Sequence, residues 1–300
     1  MKNQPEISIV LAVYNGEKFL QEQIDSILRQ KDVLIKEFII VNDCSADRSM
    51  EILTAYKNQY SFIELISNQS NIGPIGSFIK GATRATAPYT AFADQDDIWL
   101  DHKLSLSLQL MKEIDDDKKP AVVFTDLQLI SEKGEEIGSS FWELYKIRPA
   151  ANDFFTVLFG NIVTGCTMVI NRQMLDEFIK MPLSVQMHDH WIALIGFSFG
   201  KFNYSTQKTI LYRVHSKSVT NKDRVTLSQT VSNFLDAWFN QRSVFLKGSI
   251  QQAKLFKSHY GDRPDEHSRQ KLDRFIRLEN SSGLVKKLAT KFRFLITRWV

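Results

Sequence analysis

Asp94, Asp96 and Asp97 fall within four positions of the segment Ala93-Asp94-Gln95-Asp96-Asp97-Ile98-Trp99, directly after the apolar run Tyr89 to Phe92. Ionised carboxylates are costly to bury without partners. A cation that offsets their mutual repulsion explains such a cluster. Oxygen ligands on one short loop suit a hard divalent ion, Mn2+ or Mg2+. Two carboxylates plus water leave coordination positions that diphosphate oxygens can fill. The plainer alternative is an acidic turn capping a helix expected over 101–114. The position after a strand in an α/β pattern favours the cation.

The elements that must position this loop alternate along the first half of the chain. Ile7 to Val13 is apolar and rich in β-branched residues, as expected of a buried parallel strand. Phe19, Leu20, Gln23, Ile24, Ile27 and Leu28 then recur at helical spacing. A second strand is expected over 35–42, followed by a helix near 48–60 that Ser45 or Asp47 caps. Further strands are expected over 63–66 and 89–93, with a helix over 77–85 between them. This βαβ alternation predicts a parallel sheet covered on both faces. Ligands of such sheets sit outside the carboxyl ends of the strands. Asn15, Asp43, Asn71 and Asp94 all lie just past strand ends, so four polar loops converge on one rim. Beyond them, strands are expected over 121–130, 163–171 and 209–212. Helices are expected near 154–159, after Arg172 and from Met187 to about Phe199. From about Thr226 the pattern is helical to the end. A domain boundary is expected at Asn221-Lys222-Asp223, dividing residues 1–220 from a helical region 221–300.

Composition narrows the function classes. The 300 residues are 43% hydrophobic and 24% charged, enough for a large core. No apolar run reaches the roughly 18 residues of a membrane-spanning helix. The first residues carry no apolar signal core. Two cysteines, Cys44 and Cys166, imply neither a disulfide framework nor a zinc site and fit a reducing cytoplasm. A formal net charge of +4 is too mild to argue for nucleic acid. The turn Tyr14-Asn15-Gly16-Glu17 is not a glycine-rich phosphate cradle, and no P-loop is present. A diphosphate would therefore depend on a metal, which returns the argument to Asp94 and Asp96.

Taken together, the motifs resemble family 2 glycosyltransferases with the A-type (GT-A) fold. The opening strand through Gly16, Val41-Asn42-Asp43-Cys44-Ser45-Ala46-Asp47, Asn71-Ile72-Gly73-Pro74 and Asp94-Gln95-Asp96-Asp97 follow that family's order. Asp-Gln-Asp-Asp-Ile-Trp, His188-Asp189-His190-Trp191 and Tyr212-Arg213-Val214-His215 are similar to a rhamnosyltransferase-like branch. The resemblance covers roughly 7–220. It implies a GT-A α/β fold with a C-terminal helical extension and an inverting sugar transfer that needs Mn2+ or Mg2+. It implies donor contacts at Val13, Asn15, Asp43, Asn71, Gly73, Asp94, Gln95, Thr167 and Trp191. Asp43 would accept the N3 hydrogen of uracil or thymine; a helix-capping turn is the alternative. Cys44 stands where the family commonly has glycine. Asp96 would bind the metal, Asp94 the metal or ribose, and His215 would join them near the diphosphate. Asp189 matches the general base. Its plainer reading is a helix N-cap. His188 and His190 make poor joint metal ligands with it, because adjacent helical residues do not share a face. Trp191 is either a sugar platform or core.

The implied donor is a nucleoside-diphosphate sugar, most plausibly dTDP-rhamnose, and the implied acceptor a growing, lipid-linked cell-surface glycan. A nucleotidyltransferase would want a basic, glycine-rich N-terminal signature that is not seen. A non-catalytic sugar-nucleotide-binding subunit is the other rival. Leu284, Leu288, Phe292, Leu295, Ile296 and Trp299 share one helical face, accompanied by Lys286, Lys287, Lys291, Arg293 and Arg298. This stripe suits an anionic inner membrane surface, and equally a helix packed on its own domain or on a partner subunit in an oligomer.

Overall fold

The structure is a computed structural model that describes residues 4–215 and 242–280. The expected boundary at Asn221-Lys222-Asp223 and the basic apolar stripe from Leu284 lie outside the described residues. One nine-stranded sheet organises the molecule. Its first half is parallel: β1 (Glu6–Val13) pairs with β2 (Leu34–Asn42) and β4 (Tyr89–Ala93), and β2 pairs with β3 (Ile63–Ser67). The intervening helices are α1 (Leu20–Leu28), α2 (Ser49–Gln59) and α3 (Gly73–Ala82). After β5 (Ile98–Trp99) come α4 (Lys103–Ile114), β6 (Ala121–Ser131), β7 (Glu136–Gly138), α5 (Phe141–Tyr145) and α6 (Phe154–Phe159). Then follow β8 (Val169–Asn171), α7 (Arg172–Ile179), α8 (His188–Ser198), β9 (Lys201–Val214), α9 (Arg242–Tyr260) and α10 (Glu266–Arg277). β8 pairs antiparallel with both β4 and β6, and β6 runs parallel to β9.

Alternation along the strands builds two cores. Ile7, Ile9, Leu11 and Val13 pack with Leu20, Ile24, Leu53, Leu104 and Met111 of α1, α2 and α4. Val10 points the other way, into a layer that holds Phe78, Phe92, Phe178 and Trp191. Ile250, Phe256, Leu272 and Phe275 of α9 and α10 belong to that same layer, so these helices share the core of the sheet. Among the described residues, no helix is long and apolar enough to cross a membrane.

Several boundaries differ from expectation for local reasons. Helix α4 begins at Lys103 rather than Asp101, because Ile98 and Trp99 form a short strand against Leu211 and Ile210 of β9. The stretch 163–171 is interrupted by a 3-10 turn, Gly165–Thr167, which leaves only Val169–Asn171 as strand. The final strand spans Lys201–Val214, not 209–212. Its half-buried, polar first half gives no apolar signal. Arg48, not Ser45 or Asp47, occupies the N-cap of α2, although the Asp47 carboxylate does accept the Ser49 N–H at 3.0 Å.

Candidate functional site

The loops past the carboxyl ends of β1, β2, β3 and β4 are tied to one another by side chains. Asn15 takes a left-handed φ of 51°. Its N–H donates to the Ser45 hydroxyl, and its Oδ1 accepts the Ala46 N–H at 2.8 Å. The Val13 carbonyl accepts the Asp43 N–H at 2.7 Å, while the Val13 side chain lies in the core. Asp43 is buried. One of its oxygens accepts from Asn68 Nδ2 and the Ile72 N–H, both at 2.8 Å; the other accepts the Gly73 N–H at 2.9 Å. It therefore orders the loop that contains Asn71 and Gly73. The Asn71 Oδ1 joins it by accepting the same Gly73 N–H. Gly73 has φ +79°, a region an L side chain rarely enters. Cys44, which stands where related sequences commonly have glycine, holds a left-handed φ of 61°.

Gln95 links the first loop to the acidic one. Its Oε1 accepts the Tyr14 N–H at 2.7 Å and its Nε2 donates to the Tyr14 carbonyl at 3.0 Å. One amide hydrogen and one carbonyl lone pair are thus used on the backbone, so Gln95 helps to hold the rim together. A Cβ on Gly16 would stand 2.5 Å from that Oε1 and displace the Gln95 amide.

Asp96 faces β9. His215 Nε2 lies 2.7 Å from its Oδ2, and Arg213 Nε donates to its main-chain carbonyl at 3.0 Å. Arg213 and His215 are two apart at the end of a strand and so share a side. Both also pack on Phe19, with the guanidinium 4.6 Å and the imidazole 5.3 Å from its ring centre. The buried Arg213 also binds Glu22 at 2.5 Å and the Glu132 carbonyl at 3.1 Å. Sequence reasoning missed this clamp. Its signal was a cationic residue two positions before a candidate ligand histidine.

The carboxyls respond to their crowding. Burial, then the charges of Asp96 and Asp189, push the Asp94 carboxyl up to about 7. Burial, then Asp96 and Asp94, raise Asp97 well above the usual range. Asp97 Oδ1 accepts the Arg213 N–H at 3.2 Å, while Oδ2 is buried with no hydrogen-bond partner among the described residues. One ligand atom each from Asp94, Asp97 and Cys166 lie within 4.8 Å of one another. Crowded carboxyls of this kind are what a divalent cation would relieve.

Asp189 comes to the same rim from α8, near enough for its charge to act on Asp94. Its Oδ2 accepts the Gly165 N–H at 3.1 Å. Met187, not Asp189, is the N-cap of α8, so Asp189 sits in the first turn, where the helix dipole favours a carboxylate. The flanking histidines do not join it as ligands. His190 Nε2 contacts the Val157 carbonyl at 2.7 Å. His188 is held among Phe78, Phe92 and Phe178, and burial lowers its pKa. Two expected donor contacts lie elsewhere. Thr167 is fully buried and its hydroxyl donates to the Thr164 carbonyl at 2.8 Å. Trp191 is core, its Nε1–H reaching the Tyr260 hydroxyl at 3.2 Å and its ring packing on Phe256.

A sheet parallel in its first half, an acidic loop past β4 and a carboxylate on a later helix are the arrangement of the GT-A fold. The sequence profile described as Glycosyl transferase family 2 matches residues 8–178, and the chain belongs to that family. This assignment displaces the nucleotidyltransferase alternative. A putative teichuronic acid biosynthesis glycosyltransferase, TuaG of Bacillus subtilis (strain 168), is 25% identical over 260 residues, covering 84% of this chain and 96% of its own. The dTDP-rhamnosyl transferase RfbG of Shigella flexneri is 28% identical over 225 residues, covering 69% and 72%. In fold, the chain is similar to S. aureus TarS 1-349 in complex with UDP-GlcNAc: TM-score 0.58, 15% identity, 92% of this chain and 91% of that one. It is also similar to the mannosyltransferase PcManGT of Pyrobaculum calidifontis in complex with GDP-Man and Mn2+: TM-score 0.56, 11% identity, 99% and 86% covered.

Proposed function

We propose that this glycosyltransferase is inverting and metal-dependent, and that it moves L-rhamnose from dTDP-rhamnose to a hydroxyl of a growing, lipid-linked cell-surface glycan. What supports the reading is the crowding of Asp94, whose carboxyl is pushed up by burial and then by the charges of Asp96 and Asp189, although 95 positions (189 − 94) separate Asp94 from Asp189 in sequence. Asp189 takes the proton of the acceptor hydroxyl as that oxygen attacks the anomeric carbon. The bond from that carbon to the phosphate oxygen breaks on the opposite side, so configuration inverts. Asp94, Asp96 and His215 would hold Mn2+ or Mg2+, which when bound supplies positive charge to the departing diphosphate. Asp43 supports a pyrimidine base. A carboxylate has about four acceptor sites; three are occupied by Asn68, Ile72 and Gly73. The remaining one suits the single N3–H of thymine or uracil and not the paired donors of guanine. The sugar and acceptor rest on the likeness to RfbG and TuaG.

The test is donor turnover with dTDP-rhamnose, UDP-GlcNAc and GDP-mannose, each with Mn2+ or with EDTA, and with the product anomer assigned by NMR. dTDP-rhamnose turns over fastest, EDTA abolishes turnover, and the anomer inverts. Preference for GDP-mannose refutes the Asp43 argument, and turnover in EDTA refutes the metal. The basic stripe from Leu284 is proposed to hold the enzyme on the inner membrane face. Deleting it should abolish binding to anionic liposomes at low salt, and a full chain that ignores such liposomes refutes the idea.

A further inference from the structure

The partners of the Asp43 carboxylate come from two places. The N–H groups of Ile72 and Gly73 belong to the loop that the carboxylate orders, and would move with it. Asn68 is fixed to the sheet. It follows β3 directly, its N–H donates to the Asn42 carbonyl at 2.9 Å, and its side chain is buried. The Asn68 amide is engaged at both ends. Its Nδ2 donates to Asp43 Oδ1 at 2.8 Å and to the buried Ser77 hydroxyl at 3.2 Å. Its Oδ1 accepts from the Lys80 ammonium at 2.6 Å. Ser77 and Lys80 both lie on α3. A hydroxyl can face either end of an amide, but an ammonium only donates and an ionised carboxylate only accepts. Turning the amide over would set oxygen against oxygen at Asp43 and donor against donor at Lys80. Asn68 and Ile72 together fill the two accepting positions of Asp43 Oδ1, and Gly73 takes one of the two on Oδ2. The open position is therefore on Oδ2.

We propose that Asn68, oriented by Lys80, sets the nucleobase preference: by tying Asp43 to the sheet and filling its Oδ1, it favours a pyrimidine nucleotide over a guanine one. This rests on the reading of Asp43 as the base contact. A pyrimidine offers one donor, N3–H, to the position left on Oδ2. Guanine offers two neighbouring donors, which a carboxylate meets with one position on each oxygen. Asn68 and Lys80 are positioning residues, because both act on the base through Asp43. Asn68→Ala frees the carboxylate to turn and opens a position on Oδ1, and both changes favour GDP relative to UDP. Lys80→Glu places an acceptor beside the amide oxygen, so the amide has acceptors at both ends and its Nδ2 is drawn away from Asp43. The altered charge at position 80 acts on the diphosphates of UDP and GDP alike, so it cancels in their ratio. Damage to the fold cancels in the same way.

The experiment uses the full chain with UDP and GDP as probes in excess Mn2+, read by calorimetry, and thermal melting without nucleotide. The variants are Asn68→Ala, Lys80→Glu, Lys80→Arg and the double variant Asn68→Ala/Lys80→Glu. The preference for UDP over GDP should fall at least about fivefold in Asn68→Ala and at least about threefold in Lys80→Glu, the size of one hydrogen bond. Lys80→Arg still donates to the amide oxygen and should keep the preference within about twofold. The double variant should match Asn68→Ala, because Lys80 acts only through Asn68. Loss of UDP and GDP affinity by the same factor in Asn68→Ala overturns the proposal. A preference that falls further in the double variant than in Asn68→Ala overturns the part given to Lys80. If the parent binds GDP as well as UDP, the reading of Asp43 fails and the preference clause fails with it. The melting cycle then still decides whether Lys80 orients Asn68: losses smaller together than their sum support the link, and losses that merely add overturn it.

Discussion

Replacing Asp189 with asparagine isolates the proton-transfer step from everything else the carboxylate does. The side chain keeps its shape, and its remaining carbonyl oxygen can still accept the Gly165 N–H that Asp189 Oδ2 takes at 3.1 Å. What disappears is the ability to take a proton. General base catalysis typically contributes about 10²- to 10⁴-fold, or about 2.7 to 5.4 kcal/mol in the barrier. Transfer should fall by that factor. Binding of nucleoside diphosphate and Mn2+ should not fall with it. Asp189 is one of the charges that push the Asp94 carboxyl up to about 7, so its removal eases ionisation of Asp94. Cation-dependent binding should then stay constant or tighten. Sugar transfer measured by product formation, together with calorimetry of Mn2+ and nucleotide, reads the two effects separately. Transfer within about tenfold of the parent would refute Asp189 as the base. Loss of Mn2+ and nucleotide binding in a well-folded variant would refute the account of Asp94.

Three further outcomes are expected. Because the folded protein holds the Asp94 proton up to about 7 while the unfolded chain releases it near 3.8, metal-free stability falls as pH rises through that window; Asp94→Asn should flatten the fall and abolish Mn2+ stabilisation, both read by melting curves. Gly16→Ala drives a methyl to 2.5 Å from Gln95 Oε1, so it should break the Gln95–Tyr14 pairing, cost about 1–3 kcal/mol in denaturant unfolding and weaken nucleotide binding. Arg213→Met strands Glu22 and the carbonyls of Asp96 and Glu132; since Glu22 is half exposed, the loss should lie near the lower end of the range for broken buried pairs, about 3 kcal/mol in urea unfolding.

The part of this architecture legible in sequence is the part written in local patterns. Buried parallel strands give continuous apolar runs, so β1 to β4 and the rim they define were readable, as were the acidic loop and the carboxylate of α8. The second half of the sheet was less so. β9 runs 14 residues, but its first half is partly exposed and polar, and nothing local marks it as a strand. Gly165–Thr167 interrupts an otherwise strand-like stretch with a 3-10 turn, from which the Gly165 N–H donates to Asp189. Thr167 and Trp191 illustrate the same limit. Each sits beside a residue of the rim, yet one turn of helix or 3-10 backbone carries it into the core.

Chemistry shows in residue types, whereas support shows only in contacts. Asp96 declares itself by its neighbours Asp94 and Asp97. The groups that fix it come from both ends of the catalytic half of the chain. Arg213 reaches Glu22 across 191 positions, and both Arg213 and His215 rest on Phe19. Phe19 and Glu22 look in sequence like an ordinary apolar position and an ordinary surface acid at the start of a helix. Their function follows from geometry: α1 emerges from the first loop, β9 ends beside it, and the acidic loop is caught between them. A substitution on α1 at Phe19 or Glu22 therefore perturbs the same carboxylate as one on β9. The acidic loop and its supports should behave as one unit whose parts the chain supplies more than a hundred residues apart.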